Sequence, residues 1–450
     1  MSRRLTAADE WLRRVLLAPP ARVLSLLLSV CAAACFALFM LTRTMGQLAG
    51  AGMGARLACV LMLCAPLAVM LYFARRTAQE NGYGLSGHVL MAGVCAVAML
   101  ARVSFLDHVS SDYDVYLSDW LAKFGAVSFR EGMRQNIGEY NVLYQYILFL
   151  ITRLPVPPLY AVKAVTFIGD AFLAGAAARL AGKGRRGSAM ALCLVLMLPT
   201  CVIDGGMFAQ CDSLYAACAL WGLAHALSGK PARSAVCFAL SLAFKLQAVF
   251  LLPIVAVLWS ARKLRLADAL VFIAALVAAA LPALLGGKSV AQILSIYIGQ
   301  TGLYNGLTYN AASFFGLMNT AGLDPYAYGN FGMALALCAV MALLAAYIPR
   351  VKTMTDMDWV CASLQMVLLV VFLLPRMHER YFYMADVLAV TFGVKNRRAV
   401  IPAALITLAS LSTYWDLGLP LNIASLMMLT AIVLLLKQGK WTCTDENVGI

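Results

Sequence analysis

Apolar and polar residues fall along this chain in long blocks. Apolar runs recur from Arg22 onward at 22–42, 57–74, 87–105, 158–180, 188–203, 211–228, 231–245, 246–260, 266–286, 331–349, 358–375, 381–394, 399–415 and 420–436. An α-helix rises about 1.5 Å per residue, so most of these runs match a hydrocarbon core about 30 Å thick. In lipid only helices or closed barrels satisfy the backbone, and no ten-residue alternation suggests a barrel. The pattern predicts an all-α, polytopic integral membrane protein with about 14 transmembrane helices, within a range of 12 to 15, and further short helices beside the membrane. Residues 1–21 are polar and amphipathic, with Arg3, Arg4, Arg13 and Arg14. The first apolar run starts too late and is too long for a cleaved signal peptide, so it is read as a retained span.

Two stretches are ambiguous. Residues 141–154 ("NVLYQYILFLITRL") are apolar but short, and are read as an interfacial or re-entrant segment. Residues 231–260 are short for two crossings and could be one bent helix.

Composition sharpens this picture. The chain is 63% hydrophobic and 12% charged, against about 25% charged residues in a soluble domain. Its net charge of +14 raises nucleic acid as a partner. That reading is rejected because the basic residues lie in short loops and form no basic domain. The cysteines sit mostly inside apolar runs as small packing residues; Cys201 and Cys211 flank a polar loop and could pair.

Lys and Arg mark cytoplasmic loops. Here they fall at alternate connections, among them Arg75 and Arg76; Lys183, Arg185 and Arg186; Arg262, Lys263 and Arg265; and Lys395, Arg397 and Arg398. Both termini are then expected in the cytoplasm. The expected organisation is one transmembrane domain over 1–450, with an outer loop at 106–140, a second at 287–330 and a cytoplasmic tail at 437–450. The outer connections gather the ionisable residues, and such residues at membrane depth are a functional hypothesis by default.

"DHVSSDYDVYLSDW" carries Asp107, Asp112, Asp114 and Asp119, with Tyr113 among them. A carboxylate beside a low-dielectric surface suits general-base work. Asp112 and Asp114 together could hold Mg²⁺ or Mn²⁺; no cofactor is required by the sequence, and no spacing points to zinc. "FAQCDS" sets Gln210 and Asp212 at the mouth of a span, where Asp212 also suits a helix cap. Lys245, with Gln247 after it, interrupts an apolar stretch and could hold a phosphate or snorkel to the surface. "PRMHERYFY" packs Arg376, His378, Glu379 and Arg380 together, which points to anion binding. Asn305, Tyr309 and Asn310 could hydrogen-bond sugar hydroxyls or make turns.

"SDYDVYLSDW", "YNVLYQYILFL", "FAQCDSLYAACAL", "LAFKLQAVFLLP" and "LLPRMHERYFY" resemble, in order and spacing, the blocks of GT-C glycosyltransferases. The likeness is to bacterial relatives of the second mannosyltransferase of GPI-anchor assembly, and runs from about residue 100 to 385. The resemblance implies a membrane enzyme that moves a hexose, mannose or glucose, from a polyprenyl-phosphate sugar to a lipid or glycan acceptor on the extracytoplasmic face. It implies an inverting reaction with Asp112 as base, although Ser111 stands where relatives have Gly and Asp114 is close by. It also carries donor-phosphate contact to Lys245, His378 and Arg380. The rival classes are a transporter of lipid-linked sugars and a polysaccharide polymerase.

Overall fold

The structure, a computed structural model, describes residues 10, 22–182, 187–299, 305–414 and 418–438. The amphipathic segment expected at 1–21, apart from Glu10, the basic cluster at 183–186 and nearly all of the expected tail fall outside them.

In chain order the helices are α1 (Arg22–Thr42), α2 (Met53–Glu80), α3 (Leu85–Ser104), α4 (Ser118–Ala126), α5 (Phe129–Arg134), α6 (Val142–Ile151), α7 (Pro158–Leu180), α8 (Gly187–Met197), α9 (Pro199–Gly206) and α10 (Asp212–Leu227). There follow α11 (Pro231–Phe244), α12 (Ile254–Ser260), α13 (Leu266–Leu285), α14 (Val290–Gly299), α15 (Pro325–Tyr347), α16 (Asp356–Leu373), α17 (Tyr383–Lys395), α18 (Val400–Tyr414) and α19 (Leu421–Gln438). Strand structure among the described residues is one parallel pair, β1 (Thr308–Tyr309) with β2 (Met377–His378).

The all-α reading therefore holds. Among the described residues, seven helices have the length and apolarity to cross a bilayer: α1, α2, α3, α7, α13, α15 and α16. The α8–α9 pair, bent by 44°, makes an eighth if it counts as one span. Several other expected spans are occupied by shorter helices, and the run at 246–260 is broken. Lys245 is extended (φ −155°), a 3₁₀ turn covers Leu246–Phe250, and α12 starts only after Pro253. Helix α6 has ten residues, about 15 Å and half a bilayer core.

The chain forms two compact units, residues 1–114 with 153–213, and residues 115–152 with 214–450. In the first unit α7 is the central helix, packed against α2, α8 and α9. Pro158 opens it at a position that needs no N–H donor. Its small residues allow close approach: a Cβ on Gly175 would lie 2.6 Å from the Phe73 ring. Arg102 of α3 and Asp170 of α7, both buried, form an ion pair at 2.7 Å. The same guanidinium donates to the Leu196 carbonyl at 2.7 Å, where α8 breaks before Pro199. It thereby satisfies a backbone acceptor that the bend exposes.

The second unit has two runs of neighbouring helices. In one, α11 packs on α13 and both touch α6; in the other, α15 to α19 pack in sequence. Pro282 disturbs α13 near its end. There the Tyr146 hydroxyl of α6 enters the helical ladder, donating to Ala279 O at 3.1 Å and accepting from Ala283 N at 2.9 Å.

Candidate active-site residues

In the first unit the carboxylate stretch begins where α3 ends. Ser110 caps the following helical run: its hydroxyl accepts from the Tyr113 N–H at 3.2 Å and donates to Phe208 O at 3.0 Å. Asp112 lies in the first turn of that run, where unpaired N–H groups favour negative charge. Gln210 Nε2 donates to Asp112 Oδ2 at 2.9 Å. Gln210 is held in turn by its own backbone: its N–H donates to Asp204 O and its carbonyl accepts from the Thr166 hydroxyl at 2.9 Å. Ala209 supplies the sharp bend with φ 56°. The structure thus brings together Asp112 and Gln210, which are 98 positions apart.

Asp212 is buried in the first turn of α10. Tyr113 is half-buried, and burial pushes its hydroxyl up to about 12. Asp114 is exposed, and a π-helical turn spans Tyr113–Leu117. This turn interrupts the even spacing that would set Asp112 and Asp119 on one face. Asp119 pairs with Lys123 at 2.6 Å, both half-exposed.

In the second unit Lys245 follows the last residue of α11 and is 4% exposed. It does not snorkel. Its ammonium lies 5.4 Å from the centre of the Tyr140 ring and 6.0 Å from that of Tyr215. Sequence reasoning missed both tyrosines, because neither lies near Lys245 in the chain. Asn141 steadies the end of α11 by donating to Leu242 O at 2.8 Å. Gln247, two residues on, is buried.

The β1–β2 ladder pairs Tyr309 with His378, and their rings stack at 4.9 Å with planes 17° apart. Left-handed backbone at Asn310 (φ 57°) and Arg376 (φ 63°) turns the chain at the two strands. The Asn310 amide donates to Thr413 O at 2.8 Å, and the Tyr309 hydroxyl accepts from Gly306 N at 2.8 Å. Arg380 reaches Glu379 at 3.3 Å. Burial, then the charges of Arg380 and Lys245, lower His378 to about 3. The imidazole is therefore neutral near pH 7. It can exchange hydrogen bonds with an anion, while positive charge rests with Lys245 and Arg380. Arg376 is partly exposed and Asn305 exposed.

No group of three His, Cys, Asp or Glu side chains is disposed to hold a metal ion among the described residues. Cys201 and Cys211 are both buried.

Residues 141–261 match the family model of the alpha-(1->6)-mannopyranosyltransferase N-terminal domain. The chain resembles the GT-C-like mannosyltransferases. The matched stretch includes Asn141, Gln210, Asp212, Tyr215, Lys245 and Gln247, whereas Asp112 and the His378 segment lie outside it. A mannosyltransferase-type domain supports glycosyl transfer as the activity, in a chain whose apolar helices suit a membrane. No curated protein matches the chain.

Proposed function

We propose that this protein transfers mannose from a polyprenyl-phosphate sugar to a hydroxyl of a lipid-linked or surface glycan, on the extracytoplasmic side, with inversion at C1. The match of residues 141–261 to a mannosyltransferase domain carries this reading. In the proposed step the Asp112 carboxylate takes the proton of the acceptor hydroxyl as its oxygen bonds to C1. The C1–O bond to phosphate breaks, and the lipid phosphate leaves with the bonding pair. A phosphate is a stable leaving group, so a second carboxylic acid is not needed, unlike glycoside hydrolysis. Lys245 and Arg380 would offset the phosphate charge and His378 would hydrogen-bond it. The hydrogen bond from Gln210 to Asp112 would fix how the carboxylate is turned. Arg376, Tyr113, Asp119, Asp212, Gln247, Asn305, Tyr309, Asn310 and Glu379 remain candidates for substrate contact, and Asp114 for orienting the acceptor.

Asp170, the mid-span acid that a transporter would use, is closed in its pair with Arg102. The deciding experiment uses full-length protein in nanodiscs with polyprenyl-phosphate mannose and a mannoside acceptor. Wild type should form a single new glycosidic bond per donor consumed. Asp112→Asn should lower kcat about 10²- to 10⁴-fold, the usual worth of a general base, with donor KM nearly unchanged. Wild-type turnover in that variant removes Asp112 from the role and turns attention to Asp114.

A further inference from the structure

One face of α7 is polar although the helix lies in an apolar, largely buried span. Tyr160, Lys163, Thr166 and Asp170 are spaced so that they lie along one side of the helix. Each engages the segments that present the Asp112–Gln210 pair or the helix leading into them. The Tyr160 hydroxyl donates to Asp107 Oδ1, which also accepts from the Gly46 N–H at 2.9 Å. The Lys163 ammonium donates to three backbone carbonyls, Phe105 and His108 at 2.6 Å and Leu106 at 3.2 Å. The Thr166 hydroxyl donates to Gln210 O, and Thr166 O accepts from the Ser213 hydroxyl at 3.0 Å. Asp170 holds Arg102, three residues before Phe105.

Lys163 is the most demanding of these. It is fully buried, with 0% exposure, and taking an ammonium out of water is costly unless each of its protons finds an acceptor. Here three protons meet three carbonyls. A helix end can be closed by glycine or asparagine at far smaller cost, so closing α3 does not account for a lysine. The three carbonyls belong to the segment that runs directly into Ser110 and Asp112. One turn further along α7, Thr166 holds the backbone of the residue that hydrogen-bonds Asp112. The two chain segments whose side chains meet at Asp112 Oδ2 are thus fastened to one rigid helix.

We infer that Lys163, with Thr166, is a positioning residue: it sets the placement of the Asp112 carboxylate through the 105–112 segment. This rests on the reading of Asp112 as the base. Positioning losses are steep, since a shift of about 1 Å at reacting groups can cost about 10²-fold in rate.

The test compares full-length Lys163→Met, Lys163→Arg and Thr166→Val with wild type in nanodiscs. In Lys163→Met, kcat should fall roughly 30- to 100-fold while donor KM stays within about twofold. Lys163→Arg, which keeps the charge and donors, should recover most of that loss. The double variant Lys163→Met/Asp112→Asn should be no slower than Asp112→Asn alone, because Lys163 acts only through that carboxylate. Hydrogen exchange of the peptide covering 105–114 should speed up at least about tenfold in Lys163→Met, with α2 and α16 unchanged. Should Lys163→Met not fold, Thr166→Val carries the test, with a smaller kcat loss that Asp112→Asn again masks.

Unchanged exchange at 105–114, or losses that multiply with Asp112→Asn, would overturn the inference and leave the base assignment standing. Wild-type turnover in Asp112→Asn would overturn the base assignment whatever the exchange data show.

Discussion

At the residue scale, His378 shows how far surroundings override a side chain's ordinary behaviour. Its folded-state value of about 3 lies below the 6.5 of an unperturbed imidazole. Below pH 6.5 the unfolded chain takes up a proton that the folded chain refuses, so folding loses stability as pH falls from 6.5 toward 3. At pH 5 the loss from this residue is about 2 kcal/mol relative to pH 8. The thermal midpoint of wild type in detergent should drop between these pH values by clearly more than that of His378→Gln. If the two proteins respond alike, His378 is not buried as a neutral ring. Lys245 gives a second residue-level prediction. Replacing it by Met keeps the stem and removes the charge, so donor KM should rise about 10- to 100-fold if the ammonium holds phosphate. Titrating the variant with polyprenyl-phosphate mannose measures it.

At the scale of elements, breaks in helices are repaired by side chains from neighbours. Tyr146 serves α13 beside Pro282, and Tyr146→Phe should cost about 1–3 kcal/mol because it strips partners from two buried backbone groups. Arg102 serves the α8–α9 bend and pairs with Asp170. Arg102→Met alone should cost about 3–5 kcal/mol by stranding the carboxylate, and Arg102→Met/Asp170→Leu should regain much of it. Thermal unfolding in a fixed detergent checks both, and a double variant no more stable than the single would refute the pairing argument. These repairs also show what the sequence conceals. The span lengths, the tightly grouped aspartates and the cationic segment around His378 are visible as local composition. The bond from Gln210 to Asp112 joins positions far apart, and the Tyr140 and Tyr215 rings beside Lys245 depend on packing that no local pattern encodes. The break at Lys245 was half visible: the run was too short for two crossings, but its extended backbone is decided by tertiary context. Lys163 and Asp170 are legible in the sequence as charges set inside an apolar run.

At the scale of the whole molecule, the helices divide by how much of their surface the protein itself covers. The apolar windows of α7 and α16 are 83% and 72% buried, whereas those of α13 and α15 are 11% and 22%. Exposed apolar surface this extensive is stable in lipid and a liability in water. A fluorophore at Val277 of α13 should be quenched by brominated lipid chains, and one at Leu173 of α7 should not; equal quenching would contradict the membrane placement. The small ladder that joins Tyr309 to His378 has a further consequence. Because neighbouring side chains in a strand point to opposite sides, a slip of one residue would present Met377 to Tyr309 and turn the imidazole away. With so few rungs, the left-handed corners at Asn310 and Arg376 are what forbid that slip. Lengthening either corner by one residue should therefore behave like a chemical replacement of histidine by methionine, with every atom of the histidine still in the chain.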